Sequence, residues 1–428
     1  MMLLLMVSMF CPCPLEIQRG STTNLAPWMM SVAASTIDRK IIDRLVTGDG
    51  EIIEGTSINT YDMGNELHPF TYGGLCGDLD DSVKGKIVLC NLRDEGSGLL
   101  RAGAKGAVMV EEHSSYVAST FLLPAIVVGS DGGEKLRKYI KGSAKPVARI
   151  ERTSTVVDSA APFVAPFSSR GPNRLVPDIL KPDVSAPGLN ILSAWSPEAA
   201  IPGYADAQSL QYNFMTGTSS SCPHAAGAAA YVKSFHRDWS PAAIRSALMT
   251  TALPIDPSKN SDAEFAFGAG QINPVAATNP GLVYDVGVDD YILTLCGIGY
   301  NSSDIGLISG EERTCPSDYK GSPRDLNYPS MALRIDTGAP YRANFSRTVT
   351  NVGAESSAYN ASIETSGKID VKVEPDALTF GSLNEKQSLV VTVSWHEGLA
   401  LGELARATLT WSDGLHNVRS PIVVYTFV

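Results

Sequence analysis

The stretch from Gly217 to His224 decides the fold and consists of Gly-Thr-Ser-Ser-Ser-Cys-Pro-His. It leads into an alanine- and glycine-rich segment that predicts a helix from about Ser221 to His236, with small residues on its packed face. A serine at the start of such a helix lies at the positive end of the helix dipole, near backbone N–H groups that can hold an oxyanion. Ser219 is therefore a candidate nucleophile, although residues 219–221 could serve simply as N-cap serines.

The residues around this stretch predict further helical and turn structure. Ser240 supplies an N-cap and Pro241 a first helical position for a second helix, from Ala242 to Thr251. Residues 156–280 as a whole are dense in Gly, Pro, Ser and Ala. The pattern indicates two closely packed helices that follow a set of tight turns.

Two other regions have strand patterns. Between about 61 and 155, short apolar runs such as Gly85–Cys90 and Gly106–Val110 alternate with glycine turns, and Glu134–Ile140 favours a helix. This predicts a compact module of mixed α and β structure. From about 325, runs such as Ser388–Val393 alternate at period two, with turns at the spacing of a β-sandwich.

The nucleophile stretch resembles the motif of the subtilisin-like serine proteases, in particular the plant secreted, cucumisin-like branch. That family commonly has Gly-Thr-Ser-Met-Ser-Cys-Pro-His, and here Ser220 replaces the methionine. The resemblance covers nearly the whole chain from about residue 22. Further matching segments are Asn24–Trp28, Ser31–Arg39, Phe167–Pro172, Lys181–Gly188, Trp239–Thr251, Asn279–Asp285 and Arg347–Gly353.

The resemblance implies an α/β fold. We expect a partial subtilisin-like parallel-sheet catalytic domain with an inserted protease-associated (PA) domain and a C-terminal fibronectin-III-like β-sandwich. The expected boundaries are 1–20 for a segment unlike the family, 21–60 for a catalytic-domain fragment, 61–155 for the PA domain, 156–280 for the catalytic part with the nucleophile, 281–324 for a connector and 325–428 for the sandwich.

The sequence also departs from the family pattern. In the family, a catalytic aspartate and histidine precede the insertion, in Asp-Thr/Ser-Gly and His-Gly-Thr-His, and an oxyanion asparagine lies in Asn-Ser/Asp-Gly-Pro; none of these motifs is present. The six histidines are at 68, 113, 224, 236, 396 and 416, and none has the required neighbours. His224 resembles the structural histidine of the nucleophile helix. Asp62 is expected to be a loop carboxylate, and Asp183 to anchor a turn.

An unassisted serine hydroxyl is a weak nucleophile, because almost none of it is ionised at neutral pH. We therefore expect a subtilisin-like serine endopeptidase of which this chain is an N-terminally truncated form, inactive alone and retaining only Ser219 of the catalytic residues. No metal or organic cofactor is expected. The alternative is a non-catalytic binding module that uses the PA and fibronectin-III-like domains.

The cysteines and glycosylation motifs bear on the compartment. Acceptor triplets for N-glycosylation begin at Asn301, Asn344 and Asn360, as in a secreted protein. In that setting Cys76 with Cys90 and Cys296 with Cys315 are candidate disulfides, with buried free thiols as the alternative. The family is extracellular or in the cell wall. The apolar N-terminus, Met1–Phe10, has the length of a signal-peptide core but lacks a positive leader and an Ala-x-Ala site.

Charge and hydropathy restrict the partners. Lys and Arg total 34 against 45 Asp and Glu, a net charge of −11, which disfavours nucleic-acid binding. The longest uncharged apolar run, at the N-terminus, is too short and too proline-rich to span a bilayer. We expect protein or peptide substrates for an intact enzyme, no nucleic acid, no membrane span, and a homodimer through the PA domain.

Overall fold

The structure is a computed structural model that describes residues 6–8, 18–77, 79–93, 95–111, 116–199, 211–317, 319, 321–336, 341–366, 368–395 and 399–426. The chain forms two compact units. The first contains Met1–Thr36, Pro162–Gly188 and Gly217–Val428, and the second contains Ile37–Ala161 and Leu189–Thr216. Each unit is described separately below.

Strands and helices are numbered along the chain. The strands are β1 (Met6–Ser8), β2 (Met30–Ser35), β3 (Arg39–Thr47), β4 (Ile52–Gly55), β5 (His68–Tyr72), β6 (Ile87–Cys90), β7 (Gly106–Val110), β8 (Ala125–Val128), β9 (Val147–Ile150), β10 (Ser154–Val157), β11 (Val184–Pro187), β12 (Ile191–Ala194), β13 (Tyr212–Met215), β14 (Leu282–Val283), β15 (Met331–Arg334), β16 (Tyr341–Asn351), β17 (Ser357–Thr365), β18 (Asp370–Glu374), β19 (Ala377–Phe380), β20 (Lys386–Trp395), β21 (Leu404–Ser412) and β22 (Asn417–Tyr425). The helices are α1 (Ser97–Arg101), α2 (Ser130–Gly142), α3 (Thr218–Phe235), α4 (Pro241–Thr250), α5 (Glu264–Phe267), α6 (Pro274–Ala277), α7 (Val288–Gly297) and α8 (Ser302–Ser309).

A small parallel sheet supports the helix α3 in the first unit. Its order is β1-β2-β11, and both pairings are parallel. All six residues of β2 are buried, as is typical of a parallel strand covered on both faces. The helix α3 contacts all three strands and packs on α4. The shared core includes Val32, Val184, Ala228 and Leu248.

The C-terminal part of the first unit is a β-sandwich. One sheet has the order β14-β16-β20-β18 and the other β15-β22-β21-β17-β19. The strands alternate buried and exposed residues, so that the inner faces of the two sheets enclose one hydrophobic core. Trp395 and Trp411 lie in that core, at 2% and 0% exposure, and the bulk of these two rings fills the space between the sheets.

The second unit is built on an eight-stranded sheet. Its order is β10-β3-β9-β5-β6-β7-β8, with β4 added against β3, and β5 to β8 are parallel. The chain segments that open and close this sheet are neighbours, because β10 pairs antiparallel with β3 and the Asp158 backbone N–H donates to the Asp38 carbonyl at 2.7 Å. The hairpin β12–β13 also belongs to this unit.

The compact units divide the chain at different points from the predicted domain boundaries. The strands β3 and β4 lie within the predicted fragment 21–60, yet they pair with one another, and β3 also pairs with β9 and β10. Ile37 to Ala161 is therefore continuous in the second unit. The predicted connector, 281–324, contains the helices α7 and α8. Among the described residues, no helix combines the length and apolarity needed to cross a bilayer.

Candidate active site

Ser219 is the second residue of α3 and is exposed. Its neighbours Thr218 and Ser220 are buried, at 0% and 6% exposure. The first helical turn therefore presents one serine to solvent and packs the residues on either side of it. Gly217 precedes the helix with an extended φ of 159° and provides no side-chain cap. The helix begins three residues earlier than the predicted start at Ser221.

The loop before α3 is held by close backbone packing. The Gly217 N–H donates to the Gly188 carbonyl at 2.8 Å, and the Gly188 N–H donates to the Ser35 carbonyl at 2.9 Å. A Cβ at Gly188 would lie 2.0 Å from Ser221 Oγ and 2.9 Å from the Gly217 carbonyl oxygen. Only glycine fits between the end of β11 and the start of α3. This contact fixes the first turn of α3 against the parallel sheet.

The electrostatics at the start of α3 favour negative charge. The helix has 18 residues, and its first turn contains no acidic side chain. The positive end of the helix dipole at this turn can therefore stabilise a developing oxyanion. Burial raises the pKa of the nearby Cys222 thiol, which keeps that thiol protonated and makes it a poor nucleophile.

Three of the four described histidines contact a backbone or carboxylate oxygen, whereas the buried Nε2 of the fourth, His68, has no hydrogen-bond partner among the described residues. His224 is exposed on α3, and its Nδ1 lies 2.8 Å from the Ser220 carbonyl oxygen of the same helix. The Nε2 of His236 lies 2.7 Å from the Thr278 carbonyl oxygen, and Nδ1 of His416 lies 2.7 Å from Asp413 in the sandwich. His68 is buried in β5 of the second unit. His113 and His396 lie outside the described residues.

The two aspartates that the sequence singled out have different surroundings. Asp62 lies at the surface, where its Oδ1 accepts the Gly64 N–H at 2.9 Å and its Oδ2 is 3.4 Å from Arg152. Asp183 is fully buried and accepts the Lys181 ammonium at 2.6 Å and the Ser31 N–H at 2.7 Å. Asp183 therefore fixes the start of β11 against β2.

Sequence patterns did not identify the other members of the buried cluster around Asp183. The Tyr328 hydroxyl donates to Asp183, and the Lys181 ammonium lies 3.1 Å from that hydroxyl. Arg245 stacks over the Tyr328 ring at 4.3 Å. Burial lowers the pKa of Lys181 and raises that of Tyr328 well above its usual value. Of these residues, only Lys181 and Asp183 lie close together in the sequence.

The cysteines and the glycosylation motifs occupy defined positions. Cys76 is bonded to Cys90 at 2.01 Å, and Cys296 to Cys315 at 2.10 Å. Cys222 is the free cysteine of the described residues. Three exposed asparagines begin the acceptor triplets: Asn301, which caps α8, Asn344 on β16 and Asn360 on β17. In the described part of the chain, no three His, Cys, Asp or Glu side chains form a metal-binding group.

Comparisons with known proteins agree with this geometry. Residues 25–270 match the protein-family model for the subtilase family, and residues 325–424 match that for a fibronectin type-III domain. The Arabidopsis thaliana subtilisin-like proteases SBT4.3 and SBT4.4 are 44% and 42% identical to this chain. Each match covers 95% of this chain and 58% of the Arabidopsis protein, so the chain spans just over half of their length.

A solved structure was also compared. The subtilisin-like protease Apa1 from an Antarctic Pseudoalteromonas is 15% identical to this chain, and the match covers 62% of this chain and 56% of Apa1. The TM-score of 0.24 is too low to show a shared fold. The family of this chain follows instead from the match over residues 25–270. These residues include Ser219 and the strands β2 and β11 of the small parallel sheet. This chain belongs to the subtilase family, among the plant subtilisin-like proteases.

Proposed function

We propose that this chain contains the nucleophile of a serine endopeptidase and that Ser219 is that nucleophile. The main support is the exposed Ser219 side chain in the first turn of α3, with Thr218 and Ser220 buried on either side. Its hydroxyl oxygen would attack the carbonyl carbon of a peptide bond, and the positive end of the α3 dipole would stabilise the oxyanion. The histidine that accepts the hydroxyl proton, and the aspartate that orients it, would come from outside these 428 residues.

We further propose that the chain alone does not cleave peptides. The support is the sequence, in which none of the six histidines has the neighbours of the family's His-Gly-Thr-His motif and no Asp-Thr/Ser-Gly motif is present. In a bacterial subtilisin, loss of the serine or the histidine lowers kcat by about 2 × 10⁶. In an otherwise intact enzyme, loss of one oxyanion-hole donor lowers kcat by a factor on the order of 10² to 10³.

Covalent labelling tests the inactivity. We expect a fluorophosphonate to label the full chain no more than it labels Ser219→Ala, with Ser220→Ala as the neighbouring control. Peptide hydrolysis should stay at background for all three proteins. Strong labelling that only Ser219→Ala abolishes would show that a base acts on this hydroxyl within the chain, and the proposed inactivity would then be wrong.

Complementation tests the nucleophile role separately. The full chain would be co-expressed with the part of SBT4.3 that it does not cover, and peptide hydrolysis would be measured. We expect activity with the wild-type chain and its loss with Ser219→Ala. Hydrolysis that persists with Ser219→Ala would exclude Ser219 as the nucleophile. A soluble, unlabelled chain that no complement activates would favour the non-catalytic binding module.

We also propose that the protein is secreted and N-glycosylated. Two disulfides, Cys76–Cys90 and Cys296–Cys315, and three exposed acceptor asparagines support this compartment. Treatment of the protein from a plant secretory system with peptide N-glycosidase should reduce its mass, and Asn→Gln changes at 301, 344 and 360 should remove that shift. An unchanged mass would contradict the proposal. The PA domain at 61–155 and a homodimer through it stay predictions.

A further inference from the structure

Asp43 is a buried carboxyl group in the middle of β3, in the second unit. Its residue is 1% exposed. Its Oδ1 lies 2.5 Å from the Thr153 hydroxyl, whereas its Oδ2 is buried and has no hydrogen-bond partner among the described residues. A charged carboxylate in this position would leave one buried oxygen unpaired, which is energetically unfavourable.

Thr153 connects Asp43 to two other segments of the chain. Its hydroxyl accepts the Asn59 N–H at 2.6 Å and lies 3.2 Å from the Ser57 carbonyl oxygen. Its backbone N–H donates to the Asn59 carbonyl at 3.0 Å. These contacts join β3, the segment after β4, and the segment between β9 and β10. The cluster therefore lies where the chain enters and leaves the eight-stranded sheet.

The number of hydrogens decides which protonation state fits. The Thr153 hydroxyl has one hydrogen to donate and can accept two. If Asp43 is ionised, it takes that hydrogen, and the contact to the Ser57 carbonyl lacks a donor. If Asp43 is protonated, it donates to Thr153 Oγ1, and Thr153 donates to Ser57. Only the protonated form supplies a hydrogen to both contacts.

We propose that in acid Asp43 is protonated in the folded protein and that its proton completes a hydrogen-bond relay, which makes the sheet of Ile37–Ala161 more stable in acid than at neutral pH. The pKa of Asp43 is shifted in the direction that this geometry predicts. Burial raises the pKa of Asp43 to about 6, against the opposing effects of the Thr153 hydroxyl and of the nearby Ser57.

The charged side chains on the elements next to Asp43 pair with one another and not with Asp43. From β4, Glu54 faces Arg44 of β3 at 3.6 Å, and from β9, Arg149 binds Glu151 at 2.8 Å. Arg152, before β10, pairs with Asp62 at the surface. The strands β8 and β10 contain no titratable side chain, and the other charges of β3, on residues 39 and 40, are exposed.

The sign of the pH effect follows from the two pKa values. The folded-state pKa of about 6 lies above the value of about 3.9 expected for an unfolded chain, so the folded state binds more protons between them. Stability is therefore greatest in acid and falls as the pH rises through about 6. The unfolding constant of this unit should increase about tenfold between pH 5 and pH 8.

Hydrogen exchange on the full chain tests this proposal. Opening constants for peptides covering 39–62 and 147–158 would be measured from pH 5 to pH 8, with each exchange rate corrected for its intrinsic pH dependence. We expect the tenfold rise in the wild-type protein and a flat profile in Asp43→Asn, whose amide can donate to Thr153 at every pH. Asp62→Asn, which changes an exposed carboxylate in the same unit, should keep the wild-type profile.

Two results would overturn the proposal. One is a wild-type opening constant that stays level or decreases from pH 5 to pH 8, and this measurement decides the question even if Asp43→Asn does not fold. The other is an Asp43→Asn protein that folds and retains the full pH dependence. The test uses no peptidase substrate, so its outcome is independent of the role of Ser219.

Discussion

Gly188 shows how a single residue fixes the candidate active site. It follows β11 and leaves room for Ser221 Oγ, the Ala34 methyl group and the Gly217 carbonyl oxygen, which would all lie within 2.9 Å of an added Cβ. Both of its backbone contacts, to Ser35 and Gly217, connect the parallel sheet to the first turn of α3. The requirement for glycine arises from close approach of two chain segments.

Substitution at Gly188 should therefore destabilise the protein. We expect Gly188→Ala to lower the free energy of unfolding by about 1–3 kcal/mol, because the new methyl group overlaps Ser221 and the backbone of Gly217. Gly227→Ala is the matched control: it lies within α3 and has nothing within 4 Å of its added Cβ, so stability should rise by up to about 1 kcal/mol. Urea unfolding monitored by circular dichroism measures both. Equal stability of the two variants would contradict the packing described here.

The helices at the candidate site illustrate what local sequence can predict. Ser240 caps α4 through the Ala243 N–H at 2.9 Å, with Pro241 at the first helical position, as its sequence indicates. The small residues after Gly217 predict α3 with a start at about Ser221, whereas the helix begins at Thr218. The structure accommodates Pro223 inside the helix.

Other features could not be predicted, because their sequence motifs are weak or because the residues involved are far apart in the sequence. The helices α7 and α8 lie in the region interpreted as a connector, although α8 begins with a capping box of Asn301 and Asp304, and Asp290 accepts the Gly287 N–H at the start of α7. These short motifs occur widely outside helices, and the two helices are only 10 and 8 residues long. Ser219 was predicted from one local motif. The relay of Asp43 and Thr153 joins residues 110 positions apart, which no local pattern reveals.

Over the first unit as a whole, one buried ionic cluster connects segments that are far apart in sequence. The Lys181 ammonium binds Asp183 at 2.6 Å, the Met29 carbonyl at 2.7 Å and the Tyr328 hydroxyl at 3.1 Å. The side chains of Lys181 and Asp183 are both fully buried. The cluster joins the start of β2, the start of β11 and the segment before the sandwich.

Removal of this cation should affect the whole first unit. We expect Lys181→Met to lower the free energy of unfolding by about 3–5 kcal/mol, because it leaves the Asp183 carboxylate buried without its counter-ion. Lys138→Met removes an exposed partner of Glu134, 2.7 Å away, and should cost less than about 1 kcal/mol. Thermal unfolding of the full chain compares the two. Similar losses for both would show that burial of the Lys181 pair has little influence on stability.

The adjacency of Asp38 and Asp158 has a consequence for how this architecture changes over evolutionary time. Because the two backbones are joined by a hydrogen bond of 2.7 Å, everything between them departs from and returns to almost the same point. If the segment between the two residues is replaced or deleted, a tight turn is enough to reconnect the chain. Proteins with this architecture can therefore exchange or enlarge the segment between Asp38 and Asp158 without lengthening the chain on either side of it.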